Sequence, residues 1–104
     1  MIDPLIALAT SRPARVVRLL VERTDDELIV HLELRGDADP CGVHLCFEGV
    51  IQLRFLGEET DLGGLVLLQF RDMSADGWEG IRLRVEDYEG EFISFYCRDV
   101  RWLR

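Results

Sequence analysis

Cys41, His44 and Cys46 form the tightest group of metal-ligating side chains in the sequence, with His31 and Cys97 as further candidates. Zinc is held by thiolates and imidazoles that converge tetrahedrally. On an extended strand His44 and Cys46 share a face, and His31 can lie opposite them on a neighbouring strand. The spacing Cys-x2-His-x-Cys matches no standard knuckle, however, and Cys97 falls where a thiol packs as a small apolar group. The expectation is buried or incidental thiols, a solvated histidine and no metal site. Cys46 with His44 or His31 could also make a nucleophilic pair, but nothing in the sequence marks a third orienting group or an oxyanion hole. Ser11, Ser74 and Ser94 are the only serines, and none sits in a Gly-x-Ser-x-Gly elbow. All twelve basic residues are Arg, so neither a Schiff base nor a Walker-type lysine is available. Carboxylate pairs are abundant and therefore uninformative about acid–base chemistry. Gly63, Gly64, Gly77 and Gly80 read as turn formers, because no helix with a phosphate-cradling entry follows them. The chain is accordingly expected to be no enzyme and to carry no cofactor.

The elements that would position these groups are strands. Asp3-Pro4 followed by Leu5–Ala9 predicts a short N-terminal helix, stopped by Thr10–Pro13. Ala14–Arg23 is ambiguous: its polar residues fall at helical spacing, while Val16, Val17 and Val21 favour a strand. The turn signal Thr24-Asp25-Asp26 tips it toward a hairpin. Leu28, Val30, Leu32 and Leu34 alternate with polar or outward positions, as do Val43, Leu45 and Phe47, then Ile51, Leu53 and Phe55. Gly49 interrupts that long run and predicts a bend. Leu65–Arg71 reads as one strand with Val66, Leu68 and Phe70 inward. Ile81, Leu83 and Val85 precede a tight turn at Glu89-Gly90, and Phe92–Arg98 follows, extended by Val100 and Trp102 after a bulge. Five to six strands at short spacing, with no helix long enough for a parallel crossover, predict a mainly β fold. It would be an antiparallel barrel or sandwich with a short N-terminal helix, forming a single domain over 1–104.

Composition narrows the setting. In 104 residues, 48% are hydrophobic and 31% charged, with a formal net charge of −8. That balance describes a folded protein rather than a disordered tail. The charge repels phosphate backbones, and the only locally basic stretch, Arg98–Arg104 with Trp102, reads as a solvated terminal strand, so no nucleic acid is expected. Three cysteines cannot complete an intramolecular disulfide framework. The apolar run Leu5–Ala9 is too short for a signal-peptide core or a membrane span. A reduced, cytoplasmic protein with no membrane partner is expected. The lack of both Lys and Asn reads as codon bias in a GC-rich bacterial genome.

The charge is unevenly spread, with most of the excess acid beyond residue 36. It concentrates at Glu58, Glu59 and Asp61, at Asp76 and Glu79 around Trp78, and at Glu89 and Glu91. If these segments share one end of the fold, they form a negative rim able to steer a basic protein partner, with the indole as an anchor. The competing explanation is a generally solvated acidic surface.

Phe47-Glu48-Gly49-Val50, Gly77-Trp78-Glu79-Gly80 and Ile93-Ser94-Phe95-Tyr96-Cys97 resemble stretches of small acidic β-rich bacterial proteins, some of them immunity proteins of the toxin-neutralising type. The resemblance covers about the last 60 residues, and its motifs mark strands and turns. It implies a non-enzymatic protein that binds a cognate toxin through acidic loops against a basic surface. Two alternatives stand beside it. One is a small-ligand-binding barrel, which needs an unfilled interior, whereas Phe47, Phe55, Phe70, Phe92 and Phe95 are expected to fill a small one. The other is a homodimeric structural or regulatory domain joined through sheet edges.

Overall fold

A computed structural model describes residues 4–36, 42–55, 65–76, 80–87 and 93–103. The short helix α1 (Pro4–Ala9) buries Ile6. It ends where the Thr10 amide and hydroxyl both donate to the Ile6 carbonyl, at 3.0 and 2.8 Å. The Ser11 hydroxyl donates to Leu8 O at 2.7 Å. Side-chain hydroxyls thereby satisfy carbonyls that a helix end leaves open.

Nine strands follow among the described residues: β1 (Ala14–Arg23), β2 (Leu28–Arg35), β3 (Val43–Glu48), β4 (Ile51–Phe55), β5 (Leu65–Val66), β6 (Leu68–Asp72), β7 (Leu83–Asp87), β8 (Ile93–Cys97) and β9 (Asp99–Leu103), with a 3-10 turn at Ser74–Asp76. They form two antiparallel sheets, ordered β5-β1-β2-β3-β9 and β4-β8-β7-β6. The ambiguous Ala14–Arg23 is a strand, as its β-branched residues favoured. The β1–β2 turn is tied by Thr24, whose amide donates to Glu27 O at 2.9 Å and whose hydroxyl accepts from the Glu27 amide at 3.1 Å.

Of the two expected architectures the ladders select the sandwich: they sort into two sheets rather than closing into one barrel. The expected five to six strands become nine because three runs are cut where the chain passes between sheets. The Val43–Phe55 run crosses at Gly49-Val50, Leu65–Arg71 crosses at Leu67, and the last run crosses at Arg98. Val100 and Trp102 therefore do not extend β8; they belong to β9 in the opposite sheet.

Between the sheets lie Val30, Leu32, Leu45, Phe47, Val85, Ile93, Phe95 and Cys97, all essentially sealed from solvent. Phe47 meets Phe95 edge-on at 4.9 Å and lies stacked with Phe70 at 6.4 Å. Ile93 apart, for which no inward position was expected, these residues are buried as expected, but the alternation fails along β4. Ile51 and Phe55 are 41% and 44% exposed. The register of β4 against β8 shifts between Ile51 and Arg54, where Gln52 takes φ +53°. A bulge of this kind breaks the two-residue period, and β4 is an edge strand, so Phe55 does not fill the interior as expected. Phe92, the fifth aromatic of that group, lies outside the described residues.

Candidate functional site

The outer face of the five-stranded sheet gathers the histidines and a cysteine. Register sets two rows across four strands. Arg18, Glu33, His44 and Leu103 make one; Leu20, His31, Cys46 and Arg101 make the next. His31 is thus directly opposite Cys46 and diagonal to His44, the geometry at which long side chains on one sheet face can touch. Its imidazole engages the diagonal neighbour: His31 Nδ1 lies 3.1 Å from His44 Nε2, with ring centroids 5.3 Å apart and tilted by 53°. Behind His44, Nδ1 stands 3.9 Å from Glu33 Oε1, and Glu33 is held on its far side by Arg18 Nη1 at 3.5 Å. The four side chains form a lateral file from β1 across β2 to β3.

Cys46 behaves differently from its neighbours. It points to the outer face yet is only 3% exposed. Burial pushes its thiol up, Glu48 adds to the effect, and Arg101 opposes it by charge and hydrogen bonding. Arg101 is itself bound to Glu48, Nε to Oε1 at 2.8 Å. A thiol held protonated is a poor nucleophile and a poor metal ligand at neutral pH. The sequence-based pairing of Cys46 with an imidazole is therefore replaced by an imidazole–imidazole contact, on an open sheet face rather than in a cleft. Cys97 is sealed in the core, where burial and then the nearby Asp99 raise it to about 12. Among the described residues no three or more His, Cys, Asp or Glu side chains converge as a metal cluster. Cys41 lies outside the described residues.

Next to this file runs a surface groove of about 510 Å³, lined by Val17, Glu33, Leu34, His44, Trp102 and Leu103 among others. A second, of about 520 Å³, lies by the β1–β2 turn and includes Asp25, Asp26, Glu27, Gln52 and Arg98. Both open to the outside, away from the aromatic cluster between the sheets.

Of the acidic candidates, Glu58, Glu59, Asp61, Trp78, Glu79, Glu89 and Glu91 lie outside the described residues. Asp76 is described only as the last residue of the 3-10 turn. The strands that bound these segments are informative. Phe55 pairs with Ile93, and Leu68 with Asp87, so the start of segment 56–64 and both bounds of segment 88–92 lie at one end of the four-stranded sheet, while segment 56–64 leads to Leu65 in the five-stranded sheet. Asp72 pairs with Leu83 and Leu83 with Cys97 at the opposite end, from which the turn leading to Asp76 departs. The described residues that flank the acidic stretches thus stand at two ends of that sheet. Sequence reasoning missed Phe55 as a surface residue at the end of β4, Glu33 as the partner of His44, and Arg18 as the partner of Glu33. The two partners stand on outward positions of consecutive strands, a signal readable once register is known.

No family model, no curated protein and no solved structure matches this chain.

Proposed function

We propose that this chain is a non-enzymatic protein-binding domain whose contact surface is the Phe55–Ile93 end of the four-stranded sheet. The observation that supports the reading is the pairing of Phe55 with Ile93, the residues at which the acid-rich stretches 56–64 and 88–92 leave and rejoin the sheet, with the Phe55 ring half-exposed. Segments 56–64 and 88–92 contribute Glu58, Glu59, Asp61, Glu89 and Glu91 from neighbouring strand ends, and Phe55 at the foot of the first is 44% exposed. Carboxylates steer a cationic partner and raise its association rate, while burial of an aromatic supplies affinity. Trp78 and Glu79, with Asp76 of the 3-10 turn, are assigned to a second, smaller contact.

The partner is a protein with a basic surface, and the resemblance to immunity proteins makes a secreted toxin its class. The filled aromatic core argues against a ligand-binding interior, and the raised Cys46 thiol against nucleophilic catalysis. The test is affinity capture from lysates of the producing cells. The native chain is compared with a variant carrying Glu58→Gln, Glu59→Gln, Asp61→Asn, Glu89→Gln and Glu91→Gln. Retention of a basic protein by the native chain alone supports the reading; retention of the same protein by both refutes it.

A further inference from the structure

The His31–His44 pair stands apart from the proposed contact surface, on the other sheet, and its geometry is that of a chelate. We propose that His31 Nδ1 and His44 Nε2 together bind one borderline divalent transition-metal ion of the zinc, nickel or copper class.

Three observations carry the assignment. The first is the separation of 3.1 Å between the two ring nitrogens. With each nitrogen about 2.05 Å from an ion, that spacing subtends about 98° at the metal, between the octahedral and tetrahedral angles. The ion would displace the hydrogen bond between the rings and sit to one side of the line joining the two nitrogens, so that both rings tilt toward it while the nitrogens themselves move little. The second is rigidity: β2 and β3 are internal strands, hydrogen-bonded on both sides, so the two imidazoles hang from fixed backbone. The third is the carboxylate behind His44. Glu33, 3.9 Å from Nδ1 and anchored by Arg18, favours the tautomer that keeps the proton on Nδ1 and aims the Nε2 lone pair at His31. In the metal-free pair the bridging proton is that of His31 Nδ1; binding moves it to His31 Nε2 through solvent, which leaves Nδ1 free to donate to the metal. No proton is gained or lost when both rings start neutral.

Imidazole nitrogens suit zinc, copper and nickel and are poor ligands for magnesium or calcium, which fixes the class of ion. With two protein ligands the remaining positions belong to water. Both side chains are only partly buried, and the groove bordering His44 leaves room for those waters.

The experiment uses the full chain freed of any histidine tag, titrated with nickel and with zinc by calorimetry. Imidazole nitrogen resonances are followed by NMR in parallel with zinc, which is diamagnetic. The expected result is one ion per chain, with zinc shifting the His31 Nδ1 and His44 Nε2 signals together. Either His31→Gln or His44→Gln abolishes the calorimetric signal. Glu33→Gln weakens binding by about 10-fold or more while leaving the stoichiometry unchanged. Absence of binding up to about 1 mM ion would overturn the proposal. So would binding that leaves both imidazole signals in place, since that would locate the ion at the thiols or the acidic segments. The resonance readout on the unsubstituted chain keeps the test decisive if a histidine variant folds poorly.

Discussion

A side chain on Gly49 would collide with Arg98: an added Cβ would lie 2.9 Å from the Arg98 Cβ. The two residues mark adjacent corners, where the β3–β4 and β8–β9 runs pass together from one sheet to the other. The Arg98 amide donates to Glu48 O at 2.9 Å, and its guanidinium reaches Glu27 Oε2 at 2.9 Å, tying the corner to the β1–β2 turn. Gly49 also takes φ +66°, a backbone region that side chains disfavour.

Gly49→Ala should therefore be costly on two counts. Left-handed backbone alone costs of order 1–3 kcal/mol in a residue with a Cβ, and the contact with Arg98 adds to it. Gly80 is the control: its φ is +77°, but a Cβ there meets no described atom within 4 Å. Urea unfolding should give a larger loss for Gly49→Ala than for Gly80→Ala. Equal losses would mean that close approach at the corner contributes nothing.

The crossing at Leu67 depends on a buried carboxylate. Asp87 is 8% exposed and accepts the Leu67 amide at 3.1 Å. Asp87→Leu leaves that donor without its acceptor and should cost about 1–3 kcal/mol. Asp87→Asn keeps an oxygen in place and should cost less. The ordering is checked by comparing denaturant midpoints of the two variants.

Cys97 makes stability fall in alkali. Its folded-state value of about 12 lies above the ordinary 9.0. Below pH 9 both states hold the proton and the contribution is fully present. Between 9 and 12 the unfolded thiol ionises while the folded one does not, so stability drops as pH rises, by up to about 4 kcal/mol at the upper limit. Cys97→Ala lowers stability through the cavity it leaves, but it should remove this component of the slope. Parallel pH dependences for the two proteins above pH 9 would contradict the assignment.

Phe55 separates folding from binding. Its partly exposed ring on an edge strand predicts that Phe55→Ser costs much less stability than truncation of a core aromatic, about 1 kcal/mol. The same change should weaken partner binding at least tenfold, on the scale of a truncated aromatic anchor. Phe95→Ala, in the sealed core, should instead cost about 3–5 kcal/mol of stability.

Much of the fold was legible because alternation is a local signal. Val30, Leu32, Leu45, Phe47, Val85, Phe95 and Cys97 are buried as their spacing required, and Gly49 marks a corner as its place in an apolar run suggested. The crossings at Leu67 and Arg98 were not legible, because neither carries a glycine and the alternating pattern gives no sign that the partner sheet changes. The slip along β4 arises from the positive φ of Gln52, which its residue type does not announce. The shared outer face of His31, His44 and Cys46 was visible in the sequence. Which imidazole nitrogen meets which was not, because that depends on the β2–β3 register. The acidic residues were legible as a cluster in composition. That the described residues flanking them stand at two ends of the sheet became visible only with the pairing of Phe55 with Ile93 and of Asp72 with Leu83.

The most direct test of the binding surface is to add the captured partner to isotope-labelled protein and follow backbone amide resonances. The account predicts perturbations concentrated at Phe55, Asp87 and Ile93 and over segments 56–64 and 88–92, weakening as salt shortens the Debye length from about 10 Å at 0.1 M to 3 Å at 1 M. Perturbations centred on His31, His44 and Arg101, or unchanged by salt, would contradict it.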